Sequence, residues 1–326
     1  MIKKKLGLET LLIVNYHYIG ETKLDHGIHN ISVNEFDKQL DQIYAHGFRY
    51  VTLSDLVKAK QYRDLSELPK KSCLITFDDG LKQSYELGYN HLCKKGITGA
   101  FFVLSKVLHL NVVMDVHKLH LIRNKVHDKD LINSLPDFAT EHFQNLDSIL
   151  MEKQYPWDNL AGQKIKYLCN FLLPTKERTK LLNTWLNEFL GYKEKELAQN
   201  LYMSHSQLNE LGEKGMLGTH GITHEPLAQL SDLDLQNEIE GSIRTIEKVT
   251  NSKVNAISYP YGEKSAVDDR VGVHASHSGL ELGFTMFRGV NTAFSLLNDS
   301  FYLKRFDTND VFGGKSEHLY KETLNV

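Results

Sequence analysis

Residues 73–80 read Cys-Leu-Ile-Thr-Phe-Asp-Asp-Gly, an apolar run that ends in two adjacent carboxylates and a glycine. A short apolar run closed by a turn signal predicts a buried β-strand. Residues 220–224 read His-Gly-Ile-Thr-His and follow another short apolar run at 216–217. One carboxylate and two neutral imidazoles form a ligand set for a catalytic metal with an open position for water, and the second carboxylate beside it is a candidate base.

The chain around these two motifs alternates between predicted strands and helices. Strands are expected at 11–16, 50–53, 73–77, 99–104, 215–219 and 256–259, and helices at 32–46, 85–95, 206–211, 232–250 and 265–282. Ser32 and Ser231 are the expected N-caps of two of these helices. Alternation with short links predicts a parallel sheet or barrel, in which functional sites form at the carboxyl ends of the strands.

The two motifs have other readings when each is taken alone. The chain has 16 histidines, so one pair at four-residue spacing is weak support for a metal site. Asp-Gly is also a common turn signal. A helical zinc protease motif is disfavoured, because Gly221 stands where that motif has glutamate and the next two residues are β-branched.

Taken together, Thr-Phe-Asp-Asp-Gly at 76–80 and the His-x-x-x-His pattern at 220–224 resemble the NodB-type polysaccharide deacetylases, carbohydrate esterase family 4. Residues 256–262 resemble the third motif of that family. Residues 13–18 resemble a segment of the branch that deacetylates poly-N-acetylglucosamine. The resemblance covers 11–104 and 201–306, and it implies an α/β fold, a distorted or incomplete (β/α) barrel of the NodB homology type.

The resemblance implies a metal centre with a base beside it. Asp79, His220 and His224 correspond to the ligands of one divalent ion. Zn²⁺ is the expected ion, with Co²⁺, Ni²⁺ and Fe²⁺ as alternatives. Asp78 corresponds to the general base that takes a proton from water.

The resemblance also implies an acid and an oxyanion donor. His17 corresponds to the general acid, because the branch with poly-N-acetylglucosamine activity carries this histidine near its N-terminus. The backbone N–H of Tyr261 is expected to bind the oxyanion. The rings of Tyr259 and Tyr261 are expected to line the sugar site.

Three positions depart from the family pattern. Ser258 stands where the third motif has arginine, and Gly221 stands where the second motif has serine or threonine. The C-terminal Leu-x-His motif is absent at 303–306, which is expected if His17 supplies the acid. Arg305 and Arg288 are the two alternatives for the missing arginine, and the sequence does not choose between them.

The implied function is a metal-dependent hydrolase that removes an N-acetyl or other N-acyl group from a sugar. An intracellular precursor in surface polysaccharide biosynthesis is the expected substrate. A hydrolase of a non-sugar amide or a formyl group is one alternative. A catalytically inactive carbohydrate-binding member of the same fold is another, and Ser258 in place of arginine keeps it open.

The amino-acid composition of the chain limits which classes of binding partner are expected. The chain of 326 residues is 41% hydrophobic and 24% charged, which is typical of a globular protein. A net charge of −3 gives no basic footprint for nucleic acid. No membrane span, leader or disulfide is expected, because the early apolar stretch is broken by Glu9 and the three cysteines are far apart. We therefore expect a cytoplasmic protein, with its oligomeric state left open.

Residues 106–200 interrupt the strand–helix rhythm. We predict one deacetylase-like barrel domain over residues 1–326 with a helical insertion at about 106–200. His117, Lys118, His120 and Arg123 lie close together in this segment. A solvated helix face is the favoured interpretation of these four, and a lid or substrate-recognition element is the alternative.

Overall fold

The computed structural model describes residues 7–20, 30–144, 146–191, 193–317 and 320–321. The expectation about a leader also concerns the lysines at 3–5, which lie outside these ranges. The strands are β1 (Thr10–Tyr16), β2 (Tyr18–Ile19), β3 (Asn30–Ile31), β4 (Arg49–Tyr50), β5 (Lys71–Phe77), β6 (Gly99–Val103), β7 (Leu217–Thr219), β8 (Ala256–Ser258), β9 (Leu282–Phe284) and β10 (Phe306–Asp307).

Fourteen α-helices connect or flank these strands in the described residues. They are α1 (Val33–Ala45), α2 (Leu53–Tyr62), α3 (Asn90–Lys94), α4 (Asp115–Arg123), α5 (Asp128–Asn133), α6 (Asp137–Gln144), α7 (Ser148–Gln154), α8 (Leu160–Tyr167), α9 (Thr175–Trp185), α10 (Glu194–Leu201), α11 (His205–Glu213), α12 (Asp232–Thr250), α13 (Asp269–His277) and α14 (Ala293–Asn298). Short π-helical segments are Ser84–Tyr89, Leu168–Leu172 and Leu186–Leu190, and 3₁₀ segments are Ser105–His109 and Leu227–Gln229.

Eight strands form one parallel sheet, in the order β10-β1-β5-β6-β7-β8-β9 with β4 beside β5. Every pair in this sheet is parallel. The sheet forms a half-barrel with helices around it, so the predicted distorted (β/α) barrel is confirmed. Parallel pairing places all carboxyl strand ends at one edge, which is where a site is expected.

Each predicted N-cap residue stands directly before its helix and accepts a hydrogen bond from the first turn. The Ser32 hydroxyl accepts from the Glu35 N–H (3.1 Å), and the Glu35 carboxylate accepts from the Ser32 N–H (2.8 Å), which completes a capping box on α1. The Ser231 hydroxyl accepts from the Asp234 N–H (3.2 Å) and begins α12. Both helices therefore start where the sequence predicted.

The helix predicted over 265–282 is wrong in its length. Only α13 is helical there, and Gly279, with φ of 81°, follows its end as a left-handed residue. Leu282 instead begins β9, which pairs with β8. A three-residue strand is too short to give a periodic pattern, so the sequence did not indicate it.

On one face of the sheet, the side chains of β1 and β5 change from apolar to polar toward the carboxyl ends of these strands. They are Leu11, Ile13 and Asn15 on β1, and Leu74, Thr76 and then Asp78 at β5. Successive residues of a strand point to opposite faces, so every second residue lies on the same face. Asn15 lies opposite Thr76 in the register. The apolar core on this side therefore ends in a buried polar layer.

Gly218, in the middle of β7, allows close packing against the next strand. A methyl group at this position would lie 2.4 Å from carbons of the Phe102 ring and 2.9 Å from the Ala256 carbonyl oxygen. We expect Gly218→Ala to lower the free energy of unfolding by about 1–3 kcal/mol, because the fully buried Phe102 must move. Gly20→Ala is the matched control, since its nearest neighbours lie at 3.7 Å. Denaturant unfolding checks this, and equal losses in the two variants would contradict it.

The chain divides into two compact units. The first consists of Met1–Glu21, Ile31–His109 and Leu201–Val326, and it contains the parallel sheet. The second consists of Thr22–Asn30 and Leu110–Asn200. The expectation of one domain with an insertion at about 106–200 stays a prediction.

The second unit is helical and has its own apolar core, which includes Leu119, Leu182 and Trp185. The predicted solvated face on α4 is wrong, because His117, Lys118 and Arg123 are buried. The Lys118 Nζ lies 2.7 Å from a Glu194 carboxylate oxygen. Arg123 donates to the carboxylates of Asp128 and Asp158. These cations are buried because each has a carboxylate partner. A lid or recognition role for this unit stays a prediction.

The three cysteines are free, as the sequence predicted. Cys73 and Cys169 are buried and Cys93 is exposed. Burial raises the pKa of the Cys73 thiol well above its ordinary value, which makes it unreactive. Among the described residues, no helix combines the length and the apolar character that a membrane crossing requires.

Candidate active site

Asp78 and Asp79 leave β5 in different directions. The Asp78 N–H donates to the Tyr16 carbonyl (3.1 Å), so this residue continues the pairing with β1. Asp79 has a left-handed backbone with φ of 76°, and Gly80 follows at 69°. Both carboxylates are buried. The change of backbone hand gives the adjacent carboxylates separate surroundings, as their two predicted roles require.

His220 and His224 meet the Asp79 carboxylate. His220 follows β7, and its N–H donates to the Val103 carbonyl (2.9 Å). The Nε2 atoms of His220 and His224 lie 3.4 and 3.5 Å from Asp79 Oδ1. One ligand atom from each of the three residues lies within 4.8 Å of the others, and all three residues are buried. The structure therefore brings the predicted ligands together.

The donor set of this cluster fits a divalent metal ion. His220 Nδ1 lies 2.7 Å from the Ser258 carbonyl, so in the neutral imidazole Nδ1–H donates and Nε2 presents a lone pair toward Asp79. A nitrogen lone pair and a carboxylate oxygen repel each other, so a cation between them would stabilise this arrangement. Burial would lower the pKa of His220, but the carboxylates of Asp78 and Asp79 outweigh it and raise that pKa above its ordinary value, so a cation at Nε2, whether a proton or a metal ion, is stabilised here. Two imidazoles and one carboxylate match a catalytic site that keeps a position open for water.

Two polar side chains hold Asp78 through hydrogen bonds, and a third lies nearby. The Asn15 amide donates to Asp78 Oδ2 (2.9 Å), and Arg305 donates from Nη1 to Oδ1 (3.1 Å) and from Nη2 to Oδ2 (2.8 Å). His17 Nε2 lies 4.0 Å from Asp78 Oδ2. Burial would raise the pKa of Asp78, but Arg305, His220 and His17 outweigh it and hold the pKa below its ordinary range. Asp78 is therefore ionised and oriented, as a base must be.

Arg305, and not Arg288, contacts Asp78. Arg305 is fully buried and also donates to the Ser258 hydroxyl (2.8 Å), so the serine occupies the arginine's place in the motif and contacts its replacement. Arg288 instead donates to both carboxylate oxygens of Asp310 (3.0 Å). The alternative left open by the sequence is thereby resolved by geometry.

His17 lies next to Asp78 and reaches solvent. Its side chain is 34% exposed, whereas that of Asp78 is 2% exposed. The His17 ring therefore lies on the solvent side of a buried carboxylate.

Only one of the two tyrosines lies at the site. The Tyr261 ring packs edge-on against the His224 ring at 4.7 Å. Tyr259 is fully buried in the core, so the expectation that its ring lines the sugar site is wrong. Residues two apart on a strand share a face, so alternation alone would keep the two rings together. The left-handed backbone of Tyr261, with φ of 61°, turns its ring away from that of Tyr259. The oxyanion role of the Tyr261 N–H stays a prediction.

Three site residues carry strained backbone. In the described chain six non-glycine residues have positive φ, and Asp79, His224 and Tyr261 are three of them. Such a conformation costs of order 1–3 kcal/mol and persists only where the surroundings fix it. The concentration of strain at the ligand cluster indicates that geometry here is maintained at the expense of stability.

Sequence reasoning missed two positioning residues at this site. Asn15 and Thr76 are fully buried, and the Thr76 hydroxyl donates to the Asn15 amide oxygen (2.9 Å), which orients the amide toward Asp78. The available signal was Asn15 itself, a polar residue that ends the inward-facing apolar series of β1.

Comparison with known proteins supports the family. The model of the polysaccharide deacetylase family matches residues 188–282, which include both histidines of the cluster. The poly-beta-1,6-N-acetyl-D-glucosamine N-deacetylase of Staphylococcus epidermidis is 26% identical over 209 residues, or 60% of this chain and 66% of the relative, just under two thirds of its length. The family model matches less than a third of the chain, and both comparisons agree with the motifs at 76–80 and 220–224. The predicted resemblance is confirmed.

Solved structures share the fold of the deacetylase domain. The Streptococcus pyogenes deacetylase PplD, in complex with acetate, aligns with a TM-score of 0.58 and 16% identity over 97% of this chain and 98% of its own. IcaB from Ammonifex degensii aligns with a TM-score of 0.58 and 17% identity over 98% and 99%. At these identities the alignments show the fold of the deacetylase domain.

Proposed function

We propose that the chain is a metal-dependent hydrolase that removes N-acetyl groups from an N-acetylglucosamine-containing saccharide. The observation that carries this proposal is the buried cluster of Asp79, His220 and His224 beside an ionised, arginine-held Asp78. A divalent ion in the cluster, for which we propose Zn²⁺, would polarise the acyl carbonyl and acidify water.

Asp78 acts as the general base in this proposal. It takes a proton from the attacking water as the water oxygen bonds to the amide carbon. Arg305 and Asn15 fix the carboxylate, so that little reorientation is needed at the moment of proton transfer. The Tyr261 N–H stabilises the negative charge that develops on the former carbonyl oxygen.

His17 acts as the general acid. It donates a proton to the amide nitrogen as the carbon–nitrogen bond breaks, which releases a free amine on the sugar and acetate. Its exposed edge then regains a proton from solvent. Asp78 returns its proton to water, which restores the starting state.

The named relative supports a β-1,6-linked N-acetylglucosamine polymer as the substrate class. An intracellular precursor and a cytoplasmic location, both expected from the sequence, stay predictions. Acetate release from β-1,6-linked N-acetylglucosamine oligosaccharides and from a nucleotide-linked N-acetylglucosamine separates the two substrates. Faster release from the oligosaccharide would contradict the precursor.

The inactive carbohydrate-binding alternative depended on Ser258 in place of arginine. Arg305, one of the two alternatives for the missing arginine, donates two hydrogen bonds to Asp78. The ligand cluster, the base and His17 also lie together. These contacts favour an active hydrolase over a binding module.

Metal content tests the proposal directly. We expect about one divalent ion per native chain, bound by three protein ligands, and its loss in His220→Ala together with acetate release. His277→Ala, which changes an exposed histidine on α13, is the matched control and should keep both. Elemental analysis and an acetate assay provide the measurements. Native protein that binds no ion after Zn²⁺ or Co²⁺ is added would overturn the metal mechanism.

A further inference from the structure

A single carboxylate holds the loop that joins the two histidine ligands. Glu238 Oε1 accepts from the Ile222 N–H (2.7 Å), the Thr223 N–H (2.5 Å) and the Thr223 hydroxyl (2.9 Å). Glu238 lies in α12, and it is 7% exposed. A buried carboxylate that accepts several N–H bonds makes stronger hydrogen bonds than a neutral acceptor does.

The same helix also binds the remaining residue of the loop. Ser242, one turn further along α12, donates to the Gly221 carbonyl (2.8 Å), and its hydroxyl lies 2.5 Å from that of Thr219. The Thr219 hydroxyl in turn accepts from the Gly221 N–H (3.1 Å). All three residues between the ligands are therefore fixed by side chains.

The close approach of Glu238 explains why Gly221 stands between the ligands. Gly221 has φ of 83°, and a Cβ at this position would lie 3.1 Å from Glu238 Oε1. A serine or threonine would be strained by the backbone and crowded by the carboxylate. Thr223, two residues later, carries the hydroxyl that contacts the carboxylate instead.

We propose that Glu238 is a positioning residue that sets the separation of the two ligand nitrogens and thereby the affinity for the metal. His224, directly after the held segment, has a left-handed backbone that must be fixed by its surroundings. Metal ligands bind well only when held close to their productive geometry. Glu238 supplies this restraint without touching the metal.

This inference rests on the proposed function only through the metal, so the test is metal binding and not turnover. Co²⁺ is titrated into metal-free native protein, Glu238→Ala and Glu238→Gln, and both the dissociation constant and the visible Co²⁺ spectrum are recorded. We expect Glu238→Ala to bind about 10–100-fold more weakly, as for other residues that orient metal ligands. Glu238→Gln keeps an acceptor oxygen and should lie between the two.

Glu247→Ala is the matched control. Glu247 lies on the same helix and accepts from a backbone N–H, that of Val254 (3.0 Å), away from the ligand loop. Its loss should lower thermal stability and leave Co²⁺ binding and the spectrum unchanged. A purely structural role for Glu238 would instead give equal effects on binding in both alanine variants.

The outcomes separate the two proposals. No Co²⁺ binding by the native chain overturns the proposed metal mechanism and this inference with it. Native binding that Glu238→Ala retains within about twofold overturns this inference alone, because an orienting residue is expected to matter at least tenfold. If Glu238→Ala does not fold, Glu238→Gln decides, and an unchanged affinity and spectrum in that variant overturn the role.

Discussion

Replacing Asp78 with asparagine should slow deacetylation by about 10²–10⁴-fold and leave the metal content unchanged. The amide is close in shape to the carboxylate and keeps an oxygen for Arg305, but it cannot accept a proton from water. Asp79 remains in place to bind the metal. Turnover by acetate release and metal by elemental analysis are measured on the same sample.

A matched control separates the loss of a base from the loss of a buried charge. Asp310 is also a buried carboxylate that pairs with an arginine, Arg288, and it has no part in the proposed chemistry. Asp310→Asn should lower stability and leave turnover of the folded fraction near the native level. Turnover of Asp78→Asn within tenfold of native would place the base elsewhere. Loss of metal in that variant would exchange the roles of the two aspartates.

The strand ends that carry the ligand cluster were predictable from the sequence because they are local features, whereas the assignment of Asp79 as the ligand came from the family resemblance. An apolar run that ends in Asp78 and Asp79, and a second run that ends in His220, are both visible without knowing which strands pair. In a parallel sheet these ends reach one edge whatever the strand order. The separation of the two carboxylates followed from the same reasoning, although the left-handed backbone of Asp79 was not anticipated.

The partner of Asp78 was not predictable from the sequence. Arg305 reaches it because β10 pairs with β1, which itself pairs with β5. β10 has only two residues, and no pattern of that length distinguishes a strand from a loop. The sequence therefore offered Arg288 and Arg305 on equal terms, and only the pairing of strands distant along the chain decides between them.

Glu238 illustrates the same limit. The apolar periodicity of α12 identifies the face of the helix that is buried. A glutamate on this helix would normally be placed at the edge of that face or in solvent, because glutamate is rarely buried. Its function depends on what faces the helix, namely three N–H and O–H groups of the ligand loop. A buried glutamate in a well-predicted helix was the available signal.

Replacing Arg305 with methionine should lower the free energy of unfolding by about 3–5 kcal/mol, because the substitution leaves the Asp78 carboxylate buried without its cation. Arg305 is fully buried and also donates to Thr76, Ser258 and the Thr285 carbonyl, so water cannot take its place easily. Denaturant unfolding of metal-free protein measures the loss. Arg270→Met is the control, and its loss should be smaller because Arg270 is 43% exposed and its partners Asp232 and Asp268 are exposed carboxylates.

A double-mutant cycle assigns the loss to the pair. In the Asp78→Asn background the Arg305→Met change leaves no carboxylate at position 78 without its cation, so it should cost less by on the order of 1–3 kcal/mol. Equal costs in both backgrounds would show that Arg305 acts through packing and its other bonds. An Arg305→Met loss no larger than that of Arg270→Met would contradict the buried-charge argument.

The contribution of Asp78 to the pH dependence of folding stability should change sign when Arg305 is replaced by methionine. In the native chain the pKa of Asp78 is lowered, so the unfolded state binds the proton more readily and Asp78 adds stability as the pH rises through the acid range. Without Arg305, burial dominates and raises that pKa, so the folded state binds the proton more readily. The stability of Arg305→Met should therefore improve relative to native as the pH falls from about 7 to about 5, through protonation of the unpaired Asp78. A deficit that is constant over this range would mean that Asp78 keeps its charge without the arginine.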